Sequence, residues 1–206
     1  MNILTEAQNN LICTSKGKLV VNPAFDVVLE IQNLYRESEL TDFEKINCAL
    51  KMLVKNDWNL KKYTPTEKIS LLEEIYKKCI NVKKRPQTKK SVLPVLDFEE
   101  DGDYIYASFM QEYGIDLINQ QGKLPWRKFL WLFNGLGADT KIKQVMHIRE
   151  MEIPQFNGKN QKQIQEIQEL KSYYALPVKG GGGQGGLDLL FRSEEHTSEL
   201  QSLLMI

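Results

Sequence analysis

Leu124-Pro125-Trp126-Arg127-Lys128-Phe129-Leu130-Trp131-Leu132-Phe133 is the stretch that decides how this chain folds. Pro125 suits a helix start, because it lacks the N–H that a first turn leaves unpaired. Beyond it Trp126, Phe129, Leu130 and Phe133 fall at i, i+3, i+4 and i+7, one face of a helix that Gly135 closes. Trp131 and Leu132 lie off that face, so the segment is apolar almost all round. A helix of that kind is either central to a core or covers a partner.

Helical periods continue on both sides. Upstream, Asp97 opens a helix carrying Ile105, Tyr106, Phe109 and Tyr113, stopped at Gly114. Downstream, Asp139 precedes Ile142, Val145, Met146 and Ile148. A Gln-rich helix from about Asn160 to Tyr174 then presents Ile164, Ile167, Leu170 and Tyr174 before Pro177. The first half follows the same grammar. Val27, Val28, Ile31 and Leu34 recur at helical spacing, and Thr41-Asp42-Phe43-Glu44 is a capping box ahead of Ile46, Ala49, Leu50 and Leu53. Thr64-Pro65-Thr66-Glu67 is a second, with proline at the first helical position and a stripe of Ile69, Leu72, Ile75, Tyr76 and Cys79 behind it. Only at the N-terminus does the period shorten. Leu11-Ile12-Cys13 and Leu19-Val20-Val21 flank Ser15-Lys16-Gly17-Lys18, which reads as a β-hairpin.

The expected fold is therefore mainly α: a small N-terminal β-hairpin, a multi-helix bundle and a flexible Gly-rich C-terminal tail. Residues 1–80 hold the hairpin and three helices, 81–96 a basic linker, 97–177 an aromatic-rich helical region, and 178–206 a disordered tail. Within the tail, residues 192–202 (Arg-Ser-Glu-Glu-His-Thr-Ser-Glu-Leu-Gln-Ser) resemble the conceptual translation of a common sequencing-adapter oligonucleotide, so nothing functional is read from them.

Composition excludes several classes. The 206 residues carry 27 Lys+Arg against 27 Asp+Glu, so no global field gathers nucleic acid or anionic membrane. Cys13, Cys48 and Cys79 are odd in number and widely spaced, without a CxxC pair, which fits a reducing compartment. Cys48 and Cys79 lie on helical stripes, where a thiol acts as a small hydrophobe. The N-terminus lacks the features of a signal peptide, and no apolar run approaches a membrane span, so a cytoplasmic protein is expected. Phosphate-loop, dinucleotide, nucleophile-elbow and zinc-protease motifs are all missing. His147 stands in an apolar-periodic helix without a metal-ligand partner at a useful spacing. Glu99, Glu100, Asp101 and Asp103 read as a solvated helix start, where the macrodipole favours negative charge. No enzyme activity, metal or cofactor is expected. The strongest binding candidates are the rings Tyr106, Phe109, Trp126, Phe129, Trp131 and Phe133, since aromatic-rich patches mark interfaces.

Several blocks of the second half resemble one phage family: Asp97-Phe-Glu-Glu-Asp-Gly-Asp-Tyr-Ile-Tyr-Ala-Ser-Phe109, Tyr113-Gly-Ile-Asp-Leu117, Trp126-Arg-Lys-Phe129 and Leu132-Phe-Asn-Gly-Leu136. Asp139-Thr-Lys141, Ile148-Arg149, Ile153-Pro154 and Leu170-Lys-Ser-Tyr-Tyr-Ala-Leu-Pro177 extend the likeness. The chain is similar to the "gene product fifteen" proteins of siphophages and prophages of Gram-positive bacteria. Two departures stand out: Arg127 where the family often has a second tryptophan, and Gly137 where a proline is usual. The resemblance implies a tail-morphogenesis protein, encoded between the major tail protein and the tape-measure protein, in the position of a tail-assembly chaperone. It implies binding to the tape-measure protein before tube polymerisation, contact with the major tail protein or with further copies of itself, and action in the cytoplasm of the bacterial host rather than in the mature virion. Two other readings stay open. One is a phage nucleic-acid accessory protein using the basic segment 83–90, although that segment lacks interleaved aromatics and nucleic acid is not the expected partner. The other is a small enzyme with a polar pocket near His147 or the Glu99–Asp103 carboxylates.

Overall fold

The computed structural model describes residues 10–81 and 95–177. The basic segment 83–90, the glycine run and the adapter-like residues 192–202 lie outside the described residues. The element order is mainly helical behind one hairpin: β1 (Leu11–Thr14), β2 (Gly17–Val20), α1 (Phe25–Arg36), α2 (Asp42–Leu53), α3 (Pro65–Ile75), α4 (Gly102–Tyr113), α5 (Trp126–Gly135), α6 (Lys141–Glu150) and α7 (Gln161–Tyr173). A 3-10 helix at Asp57–Lys62 and a π-helical turn at Tyr76–Ile80 bracket α3. The described residues divide into two compact units. One comprises residues up to 81 with Ile118–Trp131, and the other 95–117 with 132–177. The boundary thus falls inside α5, after Trp131, and residues 118–131 group with the N-terminal half rather than with the aromatic-rich region around them.

In the first unit, β1 and β2 pair antiparallel with Leu11 opposite Val20 and Thr14 opposite Gly17. Gly17 sits at φ 132°, a conformation that other residues rarely adopt. A lone two-stranded hairpin is marginal in water. Here Ile12 and Leu19 are buried on one face. The chain beyond β2 also pairs with the end of α2, where Asn22 N–H donates to the Leu53 carbonyl and Lys55 N–H to the Val20 carbonyl. Asn56 then serves the open edge of β2 with its side chain: Nδ2 donates to the Lys18 carbonyl and Oδ1 accepts from Val20 N–H, both at 2.9 Å. Three groups of that edge are thus satisfied without a third strand.

Both capping boxes form. Thr41 and Thr64 accept from the backbone N–H of Glu44 and Glu67, whose carboxylates return to the cap N–H groups. α2 packs on α1 and α3. Val28, Ile31, Ala49, Leu50, Leu53 and Ile75 make their core, each with no exposed surface. Cys79 is interior as the stripe foretells, and its burial raises the thiol pKa. Cys48 is half-buried and Cys13 exposed.

The second unit packs α4 on α6 and α6 on α7. Helix starts are less regular there. α4 begins at Gly102, not beside Asp97, whose Oδ1 instead accepts from Glu99 and Glu100 N–H to close a preceding turn. α6 begins after Thr140 rather than Asp139. Its first-turn donor at Ile142 is satisfied from another helix, by Ser108 Oγ of α4 at 3.0 Å. Its last carbonyls are capped from α7, where Lys171 Nζ donates to Arg149 and Met151 at 2.6 and 2.8 Å.

Candidate functional site

The six rings singled out in the sequence have different fates. Trp126 and Phe129 belong to the first unit and are buried; Phe129 stacks between Phe25 (5.0 Å, 11°) and Trp126 (5.5 Å, 19°). Backbone pairing fixes the stack, because Trp126 N–H donates to the Pro23 carbonyl and Phe25 N–H to the Leu124 carbonyl. Phe109 and Phe133 belong to the second unit and are also buried, Phe109 against Tyr113 and Phe133 against Phe98. Lys143 lies 5.0 Å over the Phe133 ring, and burial lowers its ammonium pKa. Tyr106 is half-buried. Of the six, Trp131 alone is exposed, at 39%. Four rings therefore build cores, which is what aromatics do most often.

Arg127 is also interior. Its Nε donates to the Asn81 carbonyl at 2.9 Å and its Nη2 to the Lys77 carbonyl at 3.2 Å, tying the end of the π-helical turn to α5. Burial lowers the guanidinium pKa, yet the group keeps these acceptors.

One sequence expectation needs correction. Asp101 is not part of a solvated helix start: it is wholly buried. Arg149 of α6 meets it with both Nη atoms at 2.7 Å. The same guanidinium donates to the Val95 carbonyl at 2.9 Å and, through Nε, to the Tyr174 carbonyl at 2.6 Å. Asp101 Oδ2 accepts in addition from Asp97 N–H. The planar fork of arginine suits this bidentate capture of a carboxylate. A run of four acids looked uniform along the chain, and only the position of Arg149 distinguishes the third of them.

Beside this pair, Lys141 Nζ donates to Tyr174 Oη at 2.7 Å and lies over the Tyr174 and Tyr104 rings, at 4.7 and 5.7 Å. The hydrogen bond to Tyr174 raises the lysine pKa. Tyr173 meets Tyr174 edge-on at 4.8 Å. Arg149 and Lys141 together anchor the C-terminal end of α7.

The rest of α7 is held loosely. None of its residues is buried. Of its stripe, Ile164, Ile167 and Tyr174 are half-covered and Leu170 is 43% exposed, while the neighbouring Tyr173 is 78% exposed. The irregular lead-in to the helix adds Ile153, 47% exposed, and Phe156, 66% exposed. Leu170 belongs to a stripe that reads, by period alone, like any core-facing helix.

Features for chemistry are sparse. His147 is exposed near the end of α6. Among the described residues no group of three His, Cys, Asp or Glu side chains is placed to hold a metal, and no helix is long and apolar enough to cross a membrane.

No curated protein and no solved structure matches the chain. A family model does, over residues 9–176, which takes in both units and every helix described above. The chain belongs to the family of the bacteriophage Gp15 protein.

Proposed function

We propose that this Gp15 family protein is a non-enzymatic tail-morphogenesis factor, a tail-assembly chaperone that binds the tape-measure protein before the tail tube polymerises around it. The observation that supports the reading is the set of exposed apolar side chains on α7 and its lead-in, Ile153, Phe156, Leu170 and Tyr173. A long tape-measure helix exposes apolar stripes until the tube encloses it, and helix-on-groove packing is the usual way to cover such stripes. The energetics suit a transient role. Full burial of one such side chain contributes about 1.5–3 kcal/mol. Association itself costs roughly 4–15 kcal/mol. A few partly exposed side chains therefore give weak, reversible contacts, many copies along one client, and displacement by tube subunits. In this reading the protein works in the host cytoplasm and leaves before the virion matures. Trp131, exposed on the other unit, is a second candidate contact.

The test is co-expression with the cognate tape-measure protein, comparing the wild type with the triple variant Phe156→Asp, Leu170→Asp, Tyr173→Asp. All three positions are exposed, so the fold is expected to survive. The wild type should keep the tape-measure protein soluble and the variant should not. Unchanged solubility with the wild type refutes the chaperone role.

A further inference from the structure

A cavity of about 230 Å³ opens between α2, the 3-10 helix and the start of α3, all within the first unit. Leu60, nearly buried, lies in its lining, and Trp58 stands beside it with 65% of its surface exposed. Lys51, Lys61 and Lys68 complete the lining against a single carboxylate, Asp57. Among the described residues none of the three lysines pairs with a carboxylate. The Lys68 ammonium is preset: it donates to Asn47 Oδ1 at 2.7 Å and lies 5.8 Å from the Phe43 ring. An ammonium has three donors, so this one retains capacity for a further acceptor.

Cations without a carboxylate partner, gathered beside an exposed indole, suit a ligand that is both anionic and flat. Trp58 is too open to be a core residue, and its indole presents a flat face on which a base can stack. Lysines flank it along the chain at 51, 55, 61 and 62, which sets an aromatic ring among basic residues, as the segment 83–90 does not. We infer that Trp58, with Lys51, Lys61 and Lys68, forms a binding site for single-stranded nucleic acid, one base stacking on the indole while the neighbouring phosphates meet the ammonium groups. The openness of the site favours a polymer over a free nucleotide. Small-molecule sites enclose most of their ligand in roughly 300–1,000 Å³, and this one is smaller and half open. A strand instead gathers affinity from successive phosphates and stacked bases. The inference is independent of the chaperone reading, which rests on other residues.

The experiment is anisotropy of a short labelled oligothymidylate titrated with the full chain across a salt series. Single strands give a slope of log K against log salt near −0.7 per neutralised phosphate, so three lysines predict about −2 from the same relation. Trp58→Ala should weaken binding roughly fivefold to a hundredfold, the usual loss of one stacked base. Lys51→Gln with Lys61→Gln should bring the slope to about −0.7. Trp58, Lys51 and Lys61 are exposed, so thermal melting should be unchanged in these variants. Full affinity in Trp58→Ala overturns the site. Polyglutamate displacing the oligomer as well as unlabelled strand does overturns the nucleic-acid assignment in favour of an acidic protein partner. Thymidine monophosphate competing equally, per nucleotide, overturns the polymer.

Discussion

Removing Arg149 is the sharpest test of how the second unit is held together. Asp101 and Arg149 have side-chain exposures of 1% and 8%, so water screens neither. In Arg149→Ala the Asp101 carboxylate keeps only the Asp97 N–H, and the Val95 and Tyr174 carbonyls lose their donor. Breaking a buried pair from one side costs about 3–5 kcal/mol, because the remaining charge is stranded. Domain stabilities are roughly 5–15 kcal/mol, so the loss is a large share of the whole. For a chain of this size it lowers the melting temperature by about 6–20 °C, at roughly 2–4 °C per kcal/mol. Urea unfolding followed by far-ultraviolet circular dichroism measures it. Arg149→Lys should recover little, since an ammonium cannot reproduce the bidentate fork. The double variant Asp101→Leu, Arg149→Met removes both charges and should be more stable than Arg149→Ala. A cost below about 1 kcal/mol for Arg149→Ala, short of the range for a stranded buried charge, refutes the reasoning. So does a double variant as unstable as the sum of its singles.

Two further outcomes follow from local geometry. Glu67 accepts from the Lys16 ammonium and the Thr64 N–H, with the lysine contact first among the causes that hold its carboxyl down to about 2 from the ordinary 4.5. A depressed carboxyl stabilises the fold above its unfolded pKa, and the effect is lost as pH falls through the folded value. The stability advantage of wild type over Glu67→Gln should therefore be steady above pH 4.5 and vanish towards pH 2, within the window those two values set; an advantage undiminished at pH 2 refutes the assignment. Gly135→Ala should destabilise although alanine favours helices. The new Cβ would meet Tyr113 Oη at 2.9 Å, and that hydroxyl is held by its bond to the Leu132 carbonyl. Overpacking of this kind costs about 1–3 kcal/mol, and adding Tyr113→Phe should relieve it; a stabilised Gly135→Ala single variant in urea unfolding would show the contact to be soft.

The family resemblance was legible in the second-half motifs, whereas the surface was not. Aromatic type and helical period are properties of one segment, and they marked Phe109, Trp126, Phe129 and Phe133 as important without saying for what. All four proved to be interior. The face left open on α7 carries the same kind of stripe as the buried faces of α1 and α2. Periodicity reports that a face is apolar, not whether anything covers it.

What the sequence determined by itself was local: the hairpin around Gly17, the two capping boxes, the αL stop at Gly114 and the succession of helices. Each depends on residues within a few positions of one another, where backbone sterics and short hydrogen bonds act. Tertiary structure decided everything that joins distant positions. It chose Asp101 from four neighbouring acids by placing Arg149 opposite it, and it satisfied α6 from Ser108 and Lys171. It also gathered Lys51, Lys61 and Lys68 around Trp58. Burial and pairing are properties of the assembled chain, since the same carboxylate is cheap in water and costly beside an empty place in a core.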